Sequence, residues 1–361
     1  MKFSKPDAFD ISLRNSMRNL LREQGKKTRK NLILFINITI AFGLYFTPLV
    51  LLLTGVLSAV WSVLLGALVM GMGFSMLGSI QHHANHSSLS GKPWMNETFS
   101  YVMELLGMSH RNWRVQHNIL HHTETNVLGK DGDLTTAEPL LKFGPFSKIR
   151  NRILRYQHIY AWFLYGLTFF SWIFIADFLR IRSYEKAGFF KGKNYSFILA
   201  ELFFFKVFYL FLFFGLPLIF GVPFYLTFIL WASSVFIAGL IMMPVFQAAH
   251  INEWAEQYDH NANLEDTSFF KHQIRTGVNF YFSKNRFIER IFTHFFGGLN
   301  HQVAHHVHFR ASYIHYPELS EIIRNHADEN DSVTYHSYSF GRVLKSHYQM
   351  LKKLGRAGAA A

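Results

Sequence analysis

The sequence predicts an all-α integral membrane protein, with four transmembrane helices in two hairpins and a His-rich helical cap on the cytoplasmic side. Three observations point to it. Half of the 361 residues are hydrophobic and only 16% are charged, where a soluble domain carries about a quarter. The apolar residues, 39 Phe among them, gather into long runs almost free of charge. The 20 His cluster outside those runs, in a chain without Cys.

Length alone allows one large domain or two ordinary ones. Low charge and abundant Phe exclude a disordered chain. The formal charge of +13 suits either nucleic acid or an anionic membrane surface. No nucleic-acid motif accompanies it, and the apolar runs decide for the membrane. Without Cys there is no disulfide, thiol catalysis, Cys-bound zinc or intrinsic iron–sulfur cluster. Any redox chemistry therefore draws its electrons from a partner.

The first thirty residues lack the apolar core and small-residue site of a cleavable signal peptide. Instead Phe9, Leu13, Met17, Leu20 and Leu21 recur at helical spacing, with Arg14, Arg18 and Arg22 between them. Residues 1–30 thus form a basic amphipathic helix, lying on a membrane surface or covering the rest of the protein. Residues 31–350 form one membrane domain. Runs at 32–53 and 56–80, broken by Gly55, are each long enough to cross a hydrocarbon core of about 30 Å. Runs at 199–220 and 224–246 make a second hairpin around Gly221-Val222-Pro223. Glu201 and Lys206 lie near one end of it, where they read as charges that snorkel to the interface, with a substrate-facing role as the alternative. The run at 161–176 is shorter, interrupted by Tyr165, Thr168 and Ser171, and reads as an interfacial helix. Both hairpin turns lack Lys and Arg, so the basic N-terminus, the 81–198 segment and the C-terminal region are cytoplasmic. Residues 351–361 form a tail, frayed from Ala357 onward.

Directly after the second run comes Gln81-His82-His83-Ala84-Asn85-His86, whose His82 and His86 share one helical face. His117-Asn118-Ile119-Leu120-His121-His122 follows. Beyond the fourth run stand His250 and then His301-Gln302-Val303-Ala304-His305-His306. At this His content the pattern H-x3-HH should arise roughly 0.06 times by chance, and it occurs twice. Imidazole without thiolate suits Zn, Cu, Fe or Ni, and so many ligands exceed the needs of one ion. Two metal ions at the cytoplasmic membrane surface is the economical reading. His158, His260, His326, His336 and His347 stand singly and read as structural or interfacial. His110, His272, His294 and His315 flank the clusters and read as structural or as supports for ligands.

With its boxes and their context, the chain resembles the membrane-bound fatty acid desaturases. That family carries boxes of the form H-x3-4-H, H-x2-3-HH and H/Q-x2-3-HH, separated by two membrane hairpins. Further segments resemble its bacterial acyl-CoA and front-end-type branch: Trp113-Arg114-Val115-Gln116-His117-Asn118, His121-His122-Thr123-Glu124-Thr125-Asn126, Gly297-Gly298-Leu299-Asn300, Tyr156-Gln157-His158-Ile159-Tyr160-Ala161-Trp162, His272-Gln273-Ile274-Arg275-Thr276 and Ile314-His315-Tyr316-Pro317. The resemblance covers roughly residues 30–325. It implies two non-heme irons held by His82, His86, His117, His121, His122, His250, His305 and His306, with Gln302 at the H/Q position. There are departures. His83 replaces the usual Asp of box one and could itself be a ligand or a support. Ala304 replaces a Glu in box three, Val307-His308-Phe309 replaces Leu-Phe-Pro, and His301 opens a second register.

The resemblance also implies O2-dependent removal of two hydrogens from a fatty acyl chain carried on coenzyme A or a lipid, at a bacterial inner membrane. No catalytic residue beyond the metal ligands and no organic cofactor site is expected. About thirty residues before the first span are too few for a fused cytochrome b5 domain. A separate donor of ferredoxin or cytochrome b5 type is therefore expected. Two other readings fit the same residues: a His-box lipid or alkane hydroxylase, and a non-catalytic membrane metal-binding protein.

Overall fold

In lipid no water satisfies the peptide groups, so an apolar run must bond to itself as a helix. The computed structural model describes residues 3–24, 29–135 and 139–359, and its long helices form on those runs. Among the described residues, five helical stretches are long and apolar enough to cross a membrane: Leu32–Leu53, Val60–Asn85, Arg152–Lys186, Tyr195–Ile219 and Phe224–His250. The chain divides into two compact units, one of residues 32–115 with 163–243, the other of residues 1–31, 116–162 and 244–361.

The first unit is the apolar one. Helices Arg29–Leu53 and Val60–Asn85 are joined through Gly55 at φ +78°, a left-handed turn that glycine enters without a Cβ clash. The second helix starts later than expected and runs on through His82 and His83. Tyr45, fully buried, donates its hydroxyl to the Leu105 carbonyl at 3.0 Å and packs edge-on against Phe74 and Phe213. At Gly239 a Cβ would meet the Tyr165 carbonyl oxygen at 2.4 Å, so only glycine lets these two backbones approach. Phe35, Trp61, Leu65, Phe204, Val207 and Ile219 are exposed, an apolar surface suited to lipid.

Two expectations for this unit need correction. The helix expected over 161–176 is part of a continuous stretch from Arg152 to Lys186. Its polar interruptions are absorbed locally, as where Thr168 Oγ1 donates to the Leu164 carbonyl at 3.2 Å. Nor do Glu201 and Lys206 snorkel. Lys206, 8% exposed, donates to Asp177 Oδ2 at 2.7 Å and to the Gly107 carbonyl at 2.6 Å. Asp177 also accepts from the Ser109 backbone N–H at 2.9 Å and from Asn112 Nδ2 at 3.0 Å. Glu201 is held by Arg111 and by the Tyr101 hydroxyl, at 2.8 Å for the latter. Ionic partners distant in sequence replace water here.

A buried pair that loses one partner leaves an uncompensated charge, at a cost of about 3–5 kcal/mol. Asp177→Ala is therefore expected to lower the melting temperature in detergent well below that of the parent. The apolar double replacement Lys206→Met with Asp177→Leu should recover most of the loss. Equal melting of parent and Asp177→Ala would refute this account of the pair.

The second unit holds most of the histidines. Its core joins Phe9, Leu13 and Met17 of helix Ala8–Gln24 to Ile274, Val303, Val307, Tyr316, Leu319 and Ile323. Of the two readings of the N-terminal helix, its apolar face is thus spent on protein. Asp10 accepts from Ser268 Oγ at 2.7 Å and Asp7 from Lys271 Nζ at 2.7 Å, which fasten its first turn. Strands Asn279–Tyr281 and Ser337–Ser339 pair in parallel. The tail expected to fray from Ala357 is helical through Ala359, the last described residue: helix Phe340–Ala359 buries Leu351, Leu354 and Gly358. The Leu351 carbonyl accepts from Gln157 Nε2 at 2.7 Å.

Candidate metal centre

Box two lies on a π-helical stretch, Arg114–His121. One extra residue per turn brings both the fourth and the fifth following side chains beside the first. His117 accordingly stacks on His121 at 5.1 Å between ring centroids and meets His122 edge-on at 4.7 Å. An α-helix would have turned His122 away. Box three stands on the short buried helix Gln302–Val307, which presents His305 and His306. His250 ends the last long apolar helix.

Folding brings these groups together within the second unit. One ligand-capable atom each from His121, His250 and His306 lies within 4.8 Å of the others. The same holds for His122, His305 and His306, and for His117, His121 and Asp133. The His122 ring lies 4.4 Å from that of His306 and 4.6 Å from that of His305. In the first unit, His82 and His86 are buried side by side, ring centroids 4.7 Å apart, against Trp113.

What the histidines lean on fixes which nitrogen faces inward. His250 Nδ1–H donates to the Thr276 carbonyl at 2.9 Å. Gln273 donates from Nε2 to the His122 carbonyl at 3.0 Å, so its Oε1 accepts from His306 Nδ1–H at 2.8 Å. His121 Nδ1–H donates to both oxygens of Asp131 at 3.0 Å. His305 Nδ1 bonds the Tyr316 hydroxyl at 3.1 Å. For His121, His250 and His306 this leaves Nε2 as the nitrogen whose lone pair a metal would take. Two of those Nε2 atoms, on His250 and His306, flank the Gln302 amide nitrogen at 2.9 and 3.1 Å. This donor set fits a metal: imidazole nitrogens of one tautomer, converging in a buried site.

The electrostatics agree. Burial drives the His117 and His306 imidazoles below their ordinary value, so both are neutral and ready to ligate. Burial also opposes charging His121, but Asp131 and Asp133 outweigh it and push His121 up to about 9. Metal binding at His121 must therefore displace a proton at neutral pH.

Gln302 sits inside the cluster. His301 does not, its Nδ1 bonding Ser320 Oγ at 2.9 Å. His83 bonds Ser88 Oγ at 3.1 Å. Among the flanking histidines, His272 donates from Nε2–H to the Thr125 carbonyl at 3.0 Å, a brace behind box two. His110 pairs with Glu104 at 2.5 Å, His294 bonds the Tyr313 hydroxyl at 3.4 Å and His315 is buried. Asp131, Asp133, Gln273, Thr276 and Tyr316 were not singled out from sequence. Asp131-Gly132-Asp133 closely follows box two, and the other three lie in segments that carry the family resemblance.

Asn126, at φ +59°, ties the loop after box two in place. Its Nδ2 donates to the carbonyls of His250 at 3.0 Å, Glu256 at 2.9 Å and Thr276 at 3.2 Å. The single histidines serve elsewhere. His326 bonds Ser12 and Ser16 at 3.3 Å, and His260 is exposed beside Asp259. His347 is buried, bonds the Ile251 carbonyl at 2.8 Å, and is pushed down to about 4 by burial.

A histidine that is neutral when folded but titrates near 6.5 when unfolded stabilises fully above pH 6.5. That contribution is lost as pH falls from about 6.5 toward 4. Metal-free protein should thus melt progressively lower across this range, and His347→Gln should show a shallower decline. Identical profiles would exclude His347 from the effect.

A family model described as fatty acid desaturase matches residues 58–339 of the chain. An sn-1 linoleoyl-lipid 6-desaturase of Arthrospira platensis is 31% identical over 298 residues, covering 81% of this chain and 78% of that protein. Its namesake from Synechocystis sp. is 31% identical over 301 residues, 81% of each. An acyl-lipid (8-3)-desaturase of Physcomitrium patens is 32% identical over 308 residues, 80% of this chain and 60% of that one. With this match added to its apolar helices and converging imidazoles, the chain belongs to the fatty acid desaturase family, an oxidoreductase of the membrane.

Proposed function

We propose that this protein desaturates a fatty acyl chain carried on a membrane lipid, using O2, two irons and electrons from a separate donor. The observation that carries the reading is the convergence of His121, His250 and His306, and of His122, His305 and His306, with ring nitrogens oriented by Asp131, Thr276 and Gln273. The acyl-lipid carrier follows the names of the relatives. Bound iron would supply the oxidising power that removing hydrogen from unactivated carbon demands and no side chain possesses. The ligands are His82, His86, His117, His121, His122, His250, His305 and His306. His82 and His86 enter this set on the box-one pattern and their burial as a pair. Gln302, whose amide nitrogen stands between the inward nitrogens of His250 and His306, gives up both contacts when those lone pairs turn to iron.

The same convergence supports four crossings. His121 precedes, and His250 and His306 follow, the apolar helices Arg152–Lys186, Tyr195–Ile219 and Phe224–His250. Three crossings would leave the two groups on opposite faces of the bilayer, whereas two return them to the same face. The latter two helices are joined by a short turn without Lys or Arg, so they make the hairpin. Arg152–Lys186 then lies along the interface, as its basic first turn favours. By the positive-inside rule the histidines face the cytoplasm, here of a bacterial inner membrane. There the basic surface suits an acidic donor of ferredoxin or cytochrome b5 type.

Expression in a host of known fatty acid profile tests the proposal. Mass spectrometry should find a new double bond, with no added oxygen, in chains still esterified to lipid. A hydroxylated product, or an unchanged profile when iron and donor are supplied, would overturn it.

A further inference from the structure

Within the second unit, a groove of about 580 Å³ lies between helix Ala8–Gln24 and the segment that leaves box three. Arg14, Arg18 and Arg22, one helical turn apart, line one side; Arg310 and His308 line the other. The floor is apolar, from Met17, Leu21, Phe270, Val307 and Phe309. All four arginines are exposed, and among the described residues none is in an ion pair. Arg14 and Arg310 instead lie over the Phe270 and Phe309 rings, at 5.6 and 6.0 Å. Four unpaired guanidinium groups repel one another, a cost that an anion between them relieves. The groove also abuts the metal centre, because the Phe309 ring packs on His122 at 5.0 Å. It is built on Val307-His308-Phe309, the segment where this chain departs from the usual sequence after box three.

We propose that this groove seats the phosphate of an anionic glycerolipid head group, the carrier of the acyl chain. The inference rests on the acyl-lipid reading above and names the head group it takes. Planar guanidinium groups bind phosphate through paired N–H donors, which fits the walls. The apolar floor fits the glycerol ester region of an amphiphile. The volume is that of a small-molecule site, not of the extended patch on which a protein docks.

The test uses the purified full-length chain in neutral detergent with fluorescent short-chain phosphatidylglycerol as the probe. A galactosyl diacylglycerol of equal chains is the uncharged comparison. The parent should bind the phosphate lipid at least tenfold more tightly. Arg18→Gln with Arg310→Gln should abolish that preference while leaving affinity for the galactolipid unchanged. Both positions are exposed, and glutamine keeps the charge-free side chain long and polar, so folding should hold. Retained preference in the double variant would sink the proposal, as would an equal loss for both lipids. So would displacement of the probe by coenzyme A at lower concentration than by the lipid, which assigns the groove to a thioester carrier. Loss confined to binding of an acidic donor protein would likewise overturn it. Lipid binding needs no turnover, so a chain that discriminates head groups yet makes no alkene fails the desaturase reading alone.

Discussion

Chains carrying His121→Ala or His306→Ala are expected to form no new double bond, a loss of at least about a hundredfold, and to retain less than half the iron of the parent. His306 belongs to both triads, with His121 and His250 and with His122 and His305. Its loss therefore opens two ligand sets at once. His121 likewise appears beside His250 and His306 and beside His117 and Asp133. The comparison variant is His260→Ala, exposed and a member of neither triad, which should keep full activity. Iron content by elemental analysis and product by mass spectrometry read the two effects separately. Normal product from both ligand variants would refute the assignment.

Asp131→Asn should weaken metal binding by about ten- to a hundredfold although Asp131 is not itself proposed as a ligand. The 1% exposed carboxylate accepts from His121 Nδ1–H, from the Asn126 backbone N–H at 2.9 Å and from the Asp133 backbone N–H at 2.9 Å. An amide can accept through only one of its ends, so at least one of these donors loses its partner. His121 then loses both its orientation and part of the negative field that pushes it up to about 9. The two consequences separate by pH. In the parent, iron affinity should rise as pH increases toward 9, because binding must release the His121 proton. In Asp131→Asn the affinity is lower throughout, and its pH dependence moves to lower pH. An unshifted dependence would mean that Asp131 is structural and does not govern His121.

Much of the site was legible from the residues alone because metal ligation restricts residue type. Only imidazoles in number serve a Cys-free chain, and their repetition in H-x3-HH stands far outside chance. The apolar runs were legible for a related reason: crossing lipid needs many consecutive uncharged residues, and that length survives any tertiary context. The limits appeared where partners lie far apart. Glu201 and Lys206 are indistinguishable from snorkelling charges until Arg111 and Asp177 are brought to them. The helix at 161–176 looked short because Asp177 ends its apolar run, yet the pair with Lys206 keeps that residue buried and the helix continues to Lys186.

The kind of chemistry was thus written in composition and spacing, since both the membrane and the metal demand particular side chains in particular numbers. Which histidines meet, and through which nitrogen, was not. His301 and His305 are alike in a string of letters. Only the folded chain turns one toward Ser320 and the other into the cluster. Likewise the π-helical turn that sets His122 beside His117, and the Asp131, Gln273 and Thr276 oxygens that aim the rings, are seen only once the folded chain has placed both partners. Local sequence carries no record of such pairings, because a hydrogen bond depends on where both partners end up in space.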